Sequence, residues 1–377
     1  MRTRVLVMTA VCLQTAGIGV VADAQILHPT KENMNVVANH VLRYGEALPV
    51  GHRLTAAAQR IRSAVIERKV GTEDGDAVEV LGNVAAAVED SQGRVIVLDR
   101  SFQNLRIIDR NPAKSFALGR KGSGPLDFRS PMSMWLTKDG TVSVADAVLG
   151  VKRIAVETLQ SARLISTLKV SGDITSACQS ESGVATYRVS RTETPLVEVR
   201  AANGQLRAAF GQPYDASSSL TRVIMSEGTI GCSNDQSYLL ALSSMPFIHG
   251  YDSRGKKLWT SRLQEFAIGV QEETADKAGR HSIGLLAGTK SFSYVLALIP
   301  FEESLMIVQV AQHTDKSLRA RRDFESLDTY VVDARDGQGL HVSSKLPRIT
   351  SARRGGFVAT VNDPFPQVML FRTEDKR

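Results

Sequence analysis

Cysteine is scarce in this 377-residue chain, with only Cys12, Cys178 and Cys232, which excludes a small disulfide-stapled fold. Proline (12 residues) and aromatics (6%) are also low, and the 29 glycines show no collagen-like period. After residue 21 no apolar run approaches the roughly 20 residues that a spanning helix needs, so stable membrane insertion is not expected. Neither sign of charge dominates: 46 basic and 39 acidic residues leave a net charge of +7. Nucleic-acid binders gather their charge into a stripe or arm. Here the dense spots are Arg319-Ala320-Arg321-Arg322 and Arg353-Arg354, read as solvated loop ends in preference to a patch for an anionic partner. No nucleic-acid partner is expected.

Catalytic signatures are missing too. There is no Gly-x-Ser-x-Gly elbow, and His28, His40, His52, His249, His281, His313 and His341 show no zinc-ligand spacing. The glycines at 119–124 fit the start of a phosphate loop, but Pro125-Leu126 stand where Lys-Ser/Thr is required. Catalytic residues are therefore left unassigned, and no cofactor and no metal is assigned from local motifs.

What is present is an ordinary globular balance, 43% hydrophobic and 23% charged, long enough for two domains or one large repetitive one. Residues 1–24 read as a secretory signal: Arg2 and Arg4, an apolar run from Val5 to Val21, then Ala22-Asp23-Ala24 as a small-x-small cleavage site. Thr9, Gln14, Thr15, Gly17 and Gly19 dilute that run against a retained anchor, and Cys12 lacks the following small residue that lipoprotein processing wants. The expected location is periplasmic or extracellular, where a bridge between Cys178 and Cys232 would persist.

The chain repeats. Residues 92–99, Gln-Gly-Arg-Val-Ile-Val-Leu-Asp, align with residues 139–146, Asp-Gly-Thr-Val-Ser-Val-Ala-Asp, and the same offset carries Arg106-Ile107 onto Arg153-Ile154. Val95 and Val97, like Val142 and Val144, alternate with the period of a strand buried on one face. Gly93 and Gly140 sit where a tight hairpin needs positive φ. Asp99 and Asp146 close their strands as turn caps, a reading preferred to a catalytic one because it explains both. Later units are read at 183–210, 230–259, 295–344 and 349–371. The last has three strands, and Ala64–Val70, which has no hairpin partner, is available as the fourth. The fold class expected is all-β: a six-bladed β-propeller of four-stranded antiparallel blades, closed by an N-terminal strand completing the last blade. The domains are 1–24 signal peptide, 25–60 an extension that is weakly helical or mobile, and 61–377 the propeller. Residues 271–290 read as a polar, helix-prone insertion, either a lid or a long loop.

Asp99-x4-Asn104-x-Arg106-Ile107 resembles the NHL repeat. The run Gly119-Arg120-Lys121-Gly122-Ser123-Gly124-Pro125-Leu126-Asp127-Phe128 is similar to the linker between blades of exported bacterial six-bladed propellers. The likeness covers residues 72–155 and fades after the second unit. It implies a fold and no assigned chemistry. Residues 251–259, Tyr-Asp-Ser-Arg-Gly-Lys-Lys-Leu-Trp, also resemble one repeat of a quinoprotein-type propeller, a single instance that does not establish quinone binding.

Two functions follow. The first is a non-enzymatic, monomeric exported scaffold that binds a protein or carbohydrate partner on one ring face. The alternative is a divalent-metal-dependent hydrolase or lyase of gluconolactonase-like type, a family that holds its ion at the channel mouth with Glu, Asn and Asp from separate blades. Glu89 or Asp90, Asn234 and Asp235, and Asn362 and Asp363 could supply such oxygens, although turns are rich in these residues anyway. Cys178 and Cys232 hold comparable places at the ends of neighbouring innermost strands, where a bridge is geometrically open; two reduced, buried thiols are the alternative.

Overall fold

The computed structural model describes residues 23–373 apart from 45–50, 77, 159–160, 171, 173, 190–193, 277, 279, 320–323 and 354. The segment read as a leader, Cys12 included, lies outside the described residues except for Asp23 and Ala24, and so do residues 320–322 and 354 of the basic clusters.

The fold is all-β. Four strands form the first sheet, Val84–Glu89, Val95–Asp99, Asn104–Ile108 and Phe116–Leu118, and four the second, Pro131–Leu136, Val142–Asp146, Gly150–Thr158 and Ser161–Leu168. The third comprises Ile174–Ser180, Gly183–Arg188, Val197–Arg200 and Leu206–Phe210. The fourth comprises Gly228–Cys232, Tyr238–Leu242, Phe247–Tyr251 and Lys257–Leu263, and the fifth Ser291–Glu302, Leu305–Thr314, Ser326–Asp333 and Gly339–Ser343. Arg348–Arg353, Gly356–Val361 and Gln367–Arg372 make three strands of the sixth, and Val65–Val70 pairs antiparallel with Gln367–Arg372 as its fourth. Each first strand touches the first strand of the next sheet, and Arg348–Arg353 touches Val84–Glu89. The sheets therefore follow one another around a central axis, the arrangement of a β-propeller.

Local chemistry explains the strand ends. Gly93 and Gly140 have φ of 75° and 79°, the left-handed region that their hairpins require. Asp99 accepts from the backbone N–H groups of Gly82, Asn83, Ser101 and Phe102 at 2.8–3.3 Å. Asp146 does the same for Arg129, Ser130, Val148 and Leu149 at 2.7–3.0 Å. Both aspartates are fully buried, and Arg106 Nε lies 3.3 Å from Asp99. Asp99→Ala is expected to cost about 3 kcal/mol, because it strands buried amide donors and a buried guanidinium together. Denaturant unfolding monitored by circular dichroism measures this, and a loss below about 1 kcal/mol would contradict the capping role.

Between sheets the joints are polar as well as apolar. Thr350 Oγ1 and Ser351 Oγ donate to Ala87 O at 2.9 and 2.8 Å, joining the sixth sheet to the first. Gln309 bridges the fifth and sixth, donating to Pro347 O at 3.0 Å and accepting from Ile349 N at 2.7 Å. Trp259 Nε1 donates to Ala334 O at 2.8 Å, joining the fourth and fifth. A Cβ at Gly250 would lie 2.1 Å from the Trp259 ring, so the glycine makes room for it.

The N-terminal extension is ordered where it is described. His52–Arg62 is a helix burying Leu54, Ala57, Ala58 and Ile61 against the fifth and sixth sheets. His40–Leu42, read from sequence as weakly helical, is a strand running parallel to Ser261–Leu263 as the fifth strand of the fourth sheet. Leu42 is 1% exposed there, and that burial outweighs local helical preference. Within 271–290, read from sequence as a helix-prone insertion, Gln271–Ala275 and His281–Leu285 are instead the two strands of a hairpin. Asp23–Leu27 pairs with its other side and completes a three-stranded sheet.

Candidate functional site: the upper mouth of the channel

The first strands of the six sheets surround a channel of about 2900 Å³. All six run the same way, so the channel has two chemically different ends. At the lower mouth the inner hairpins turn; at the upper mouth the chain enters each inner strand.

The lower mouth is stitched by charge across sheets. Arg353 Nη1 lies 2.5 Å from Glu89 and also pairs with Glu67, tying the sixth sheet to the first. Lys138 Nζ meets Glu181 at 2.6 Å, and Gln236 Nε2 donates to the other oxygen of Glu181 at 2.7 Å, joining the second, third and fourth. Arg353 is thus not a solvated loop end, because its guanidinium is consumed in closing the ring. The Arg353 pair holds the Glu67 carboxyl below the usual carboxylate range.

The oxygen donors considered for a metal are split between the two mouths: Glu89, Asp90, Asn234 and Asp235 lie at or beside the lower one, whereas Asn362 and Asp363 follow the second strand of the sixth sheet and lie at the upper one. Glu89 is paired with Arg353, Asp90 accepts from Arg94 Nε at 2.6 Å, and Asp235 accepts from Ser233 Oγ and from Ser237 N at 3.2 Å. Among the described residues no three His, Cys, Asp or Glu side chains are grouped to hold an ion. Glu89 is held by the sixth sheet, Asp90 and Asp235 by their own turns, and Asn362 and Asp363 lie at the other end of the channel, so the set is not gathered around one ion. The glycine run also serves structure: Gly124 N donates to Asp127 Oδ2 at 3.1 Å, and Lys152 Nζ donates to Gly124 O and Asp127 O at 2.8 and 2.6 Å. Those contacts fix the crossing from the first sheet to the second and turn the Gly124 amide toward a carboxylate, not a phosphate.

The upper mouth is built differently. The helix Ser219–Met225, the three-stranded sheet containing Gln271–Ala275, and the long hairpin Ser291–Glu302 with Leu305–Thr314 all depart from the repeat and all contribute to this end. Glu273 binds two of these additions together, accepting from Thr221 Oγ1 at 2.9 Å and lying 3.0 Å from His281 Nδ1. Val148, 57% exposed, and Val223, Ile224, Leu285, Phe292 and Phe324 give the mouth an apolar lining.

Inside it sits Glu227, immediately before the inner strand of the fourth sheet. Its backbone is fixed by Ser243 N donating to Glu227 O at 2.8 Å. Tyr294, on the neighbouring inner strand, hydrogen-bonds Ser243; burial, with the Glu227 charge adding, pushes its hydroxyl up to about 12. Burial also raises the Glu227 carboxyl above its ordinary range. Sequence inspection did not single out Glu227, because a lone glutamate ahead of Gly-Thr-Ile-Gly-Cys carries no local signal.

By fold the chain is a β-propeller protein. It is similar to a protein from Bacteroides fragilis described as exported, at 10% identity, covering 89% of this chain and 100% of that one with a TM-score of 0.54. A member of the DUF4221 family from Bacteroides vulgatus matches at 9% identity over 83% of this chain and 98% of that one, TM-score 0.49. Virginiamycin B lyase from Staphylococcus aureus matches at 7% identity over 81% and 98%, TM-score 0.43. No family model and no curated protein matches the sequence. At such identities the likeness concerns the fold alone. No helix among the described residues is long and apolar enough to cross a membrane.

Proposed function

We propose that this chain is an exported six-bladed β-propeller of NHL-like repeats, released from its 1–24 leader, that serves as a binding scaffold for a protein or carbohydrate ligand at the upper mouth of its channel. The observation that carries this reading is the asymmetry of the two ends. Lower-mouth charges are spent on neighbouring sheets, whereas the segments added to the repeat gather around the upper mouth and leave it open, apolar at its edge and polar inside. Concave sites with an apolar wall and a few polar groups are where ligands bind. Cyclic contact of six sheets supports the blade count, and the N-terminal strand of the sixth supports closure by both chain ends.

Site-directed photocrosslinking in the exporting cell tests the assignment. A photoreactive residue replacing Val148, at the upper mouth, is expected to yield a discrete adduct, and one replacing Lys138, at the lower mouth, is expected to yield none. Adducts from Lys138 alone, or from neither position, would overturn the choice of mouth.

A further inference from the structure

The carboxylates of the upper mouth are not alike. Asp328 accepts from Gln312 Nε2 at 2.7 Å and from the Tyr44 hydroxyl, Glu273 accepts from Thr221 and Ser218, Glu325 lies 3.7 Å from Lys316 Nζ, and Asp363 is exposed to solvent. Glu227 has no such partner: among the described residues no side chain or backbone amide donates to its carboxylate, and no cation stands beside it. The side chain lines the channel with Tyr294 and Ser243. Tyr187, fully buried, lies behind it and donates its hydroxyl to Ser226 O, so that hydroxyl proton is committed elsewhere.

A half-buried carboxylate without donors is costly, and the free protein lowers the cost by holding the proton more tightly. A ligand removes the cost only if it supplies both donors and positive charge. A neutral hydroxyl would supply a donor and leave the charge uncompensated; an anion would worsen it. Ammonium and guanidinium groups supply both, and Tyr294 and Phe292, which line the channel here, are rings of the kind against which a cation and its stem pack. Val223 and Ile224, on the adjacent helix, complete the apolar wall.

We propose that Glu227, flanked by Tyr294 and Ser243, is the counter-ion for a ligand carrying an ammonium or guanidinium group on an apolar body, taken in at the upper mouth. The assignment rests on the reading of that mouth as the binding end and names the chemistry received there. The cation can belong to a free amine or to a basic side chain of a protein, and the two sources present the same head group.

Calorimetry at neutral pH with benzylamine, benzyl alcohol and the capped peptide acetyl-Gly-Lys-Gly-amide tests it. Benzylamine is expected to bind, with benzyl alcohol, of the same shape but neutral, at least about tenfold weaker. Glu227→Gln is expected to weaken benzylamine by about tenfold while melting at or above the wild-type temperature, since the amide no longer has a charge to bury. Benzylamine binding should also weaken as the pH is lowered and the Glu227 carboxyl, whose proton burial holds more tightly than usual, becomes neutral, since a neutral carboxyl is no counter-ion. Peptide binding stronger than benzylamine would identify a protein side chain as the source; the reverse order would identify a free amine. Equal affinity for benzyl alcohol, or benzylamine binding unaffected by Glu227→Gln, would overturn the proposal. A Val148 adduct together with failure of both cations would sink the counter-ion role and leave the mouth assignment standing; loss of the adduct would sink that assignment itself.

Discussion

Removing Val65–Val70 is expected to abolish the single cooperative unfolding transition and to send the protein into aggregates. These residues pair with Gln367–Arg372 from Val65 opposite Arg372 to Val70 opposite Val368. Their loss would bare an edge strand whose Val368 and Leu370 are at most 1% exposed in the intact protein, a ready template for pairing with other chains. The strand also spans the joint between the sixth and first sheets. Arg68 donates to Gly93 O at 3.1 Å and Asp109 O at 2.8 Å, Glu67 pairs with Arg353, and Val70 shares a core with Val84, Val97, Val358 and Val368. Stability in repeat folds is a sum over neighbours, and a strand that couples the first unit to the last contributes to both. Circular dichroism melts with parallel light scattering read the outcome. A deletion variant that melts in one transition at the wild-type temperature would show that the joint does not depend on this strand.

The joint could be seen in the sequence because its signals are local. Three strands at the C-terminus without a fourth, and Ala64–Val70 without a hairpin partner, pose a problem with one economical answer. The strands of the later sheets were legible for the same reason: turn glycines and period-two burial act over a few residues, and the expected segments 357–361 and 368–371 fall within Gly356–Val361 and Gln367–Arg372. The additions were not legible. Gln271-Glu272-Glu273-Thr274-Ala275 has the composition of a polar helix, and only pairing with Asp23–Leu27, far away in the chain, makes it a central strand. His40–Leu42 likewise takes its conformation from Ser261–Leu263. Arg353 looked like surface because the carboxylates that hold it, Glu89 and Glu67, come from the opposite end of the sequence. Glu227 was missed for a related reason: what distinguishes it is a set of partners it does not have, and no spacing pattern can express that.

Replacing Cys178 and Cys232 together by serine is expected to lower stability by up to about 4 kcal/mol, the loop-closure value for a bridge spanning 54 residues. The two cysteines lie on the inner strands of the third and fourth sheets, bonded through sulfur with their Cα atoms 5.6 Å apart. The strands are held without the bridge as well. Ser176 Oγ lies 3.2 Å from Thr229 Oγ1 and accepts from Ile230 N at 3.4 Å, and Ser180 Oγ lies 2.8 Å from the Tyr238 hydroxyl. With these bonds in place the folded state should keep its geometry when the bridge is absent, so most of the loss should come from the larger conformational freedom of the unfolded chain. The double variant should therefore fold, bind as the wild type does, and unfold at lower denaturant concentration with an increased m-value, because its unfolded state is less compact. Thiol titration settles the premise. Protein lacking the leader, denatured without reductant, should show no reactive thiol, and two after reduction; two before reduction would mean that no bridge forms. Equal stability of the double variant and the wild type would mean instead that the bridge adds nothing to what the hydroxyl contacts and the shared core of Tyr187, Val197, Ile230 and Tyr238 already provide.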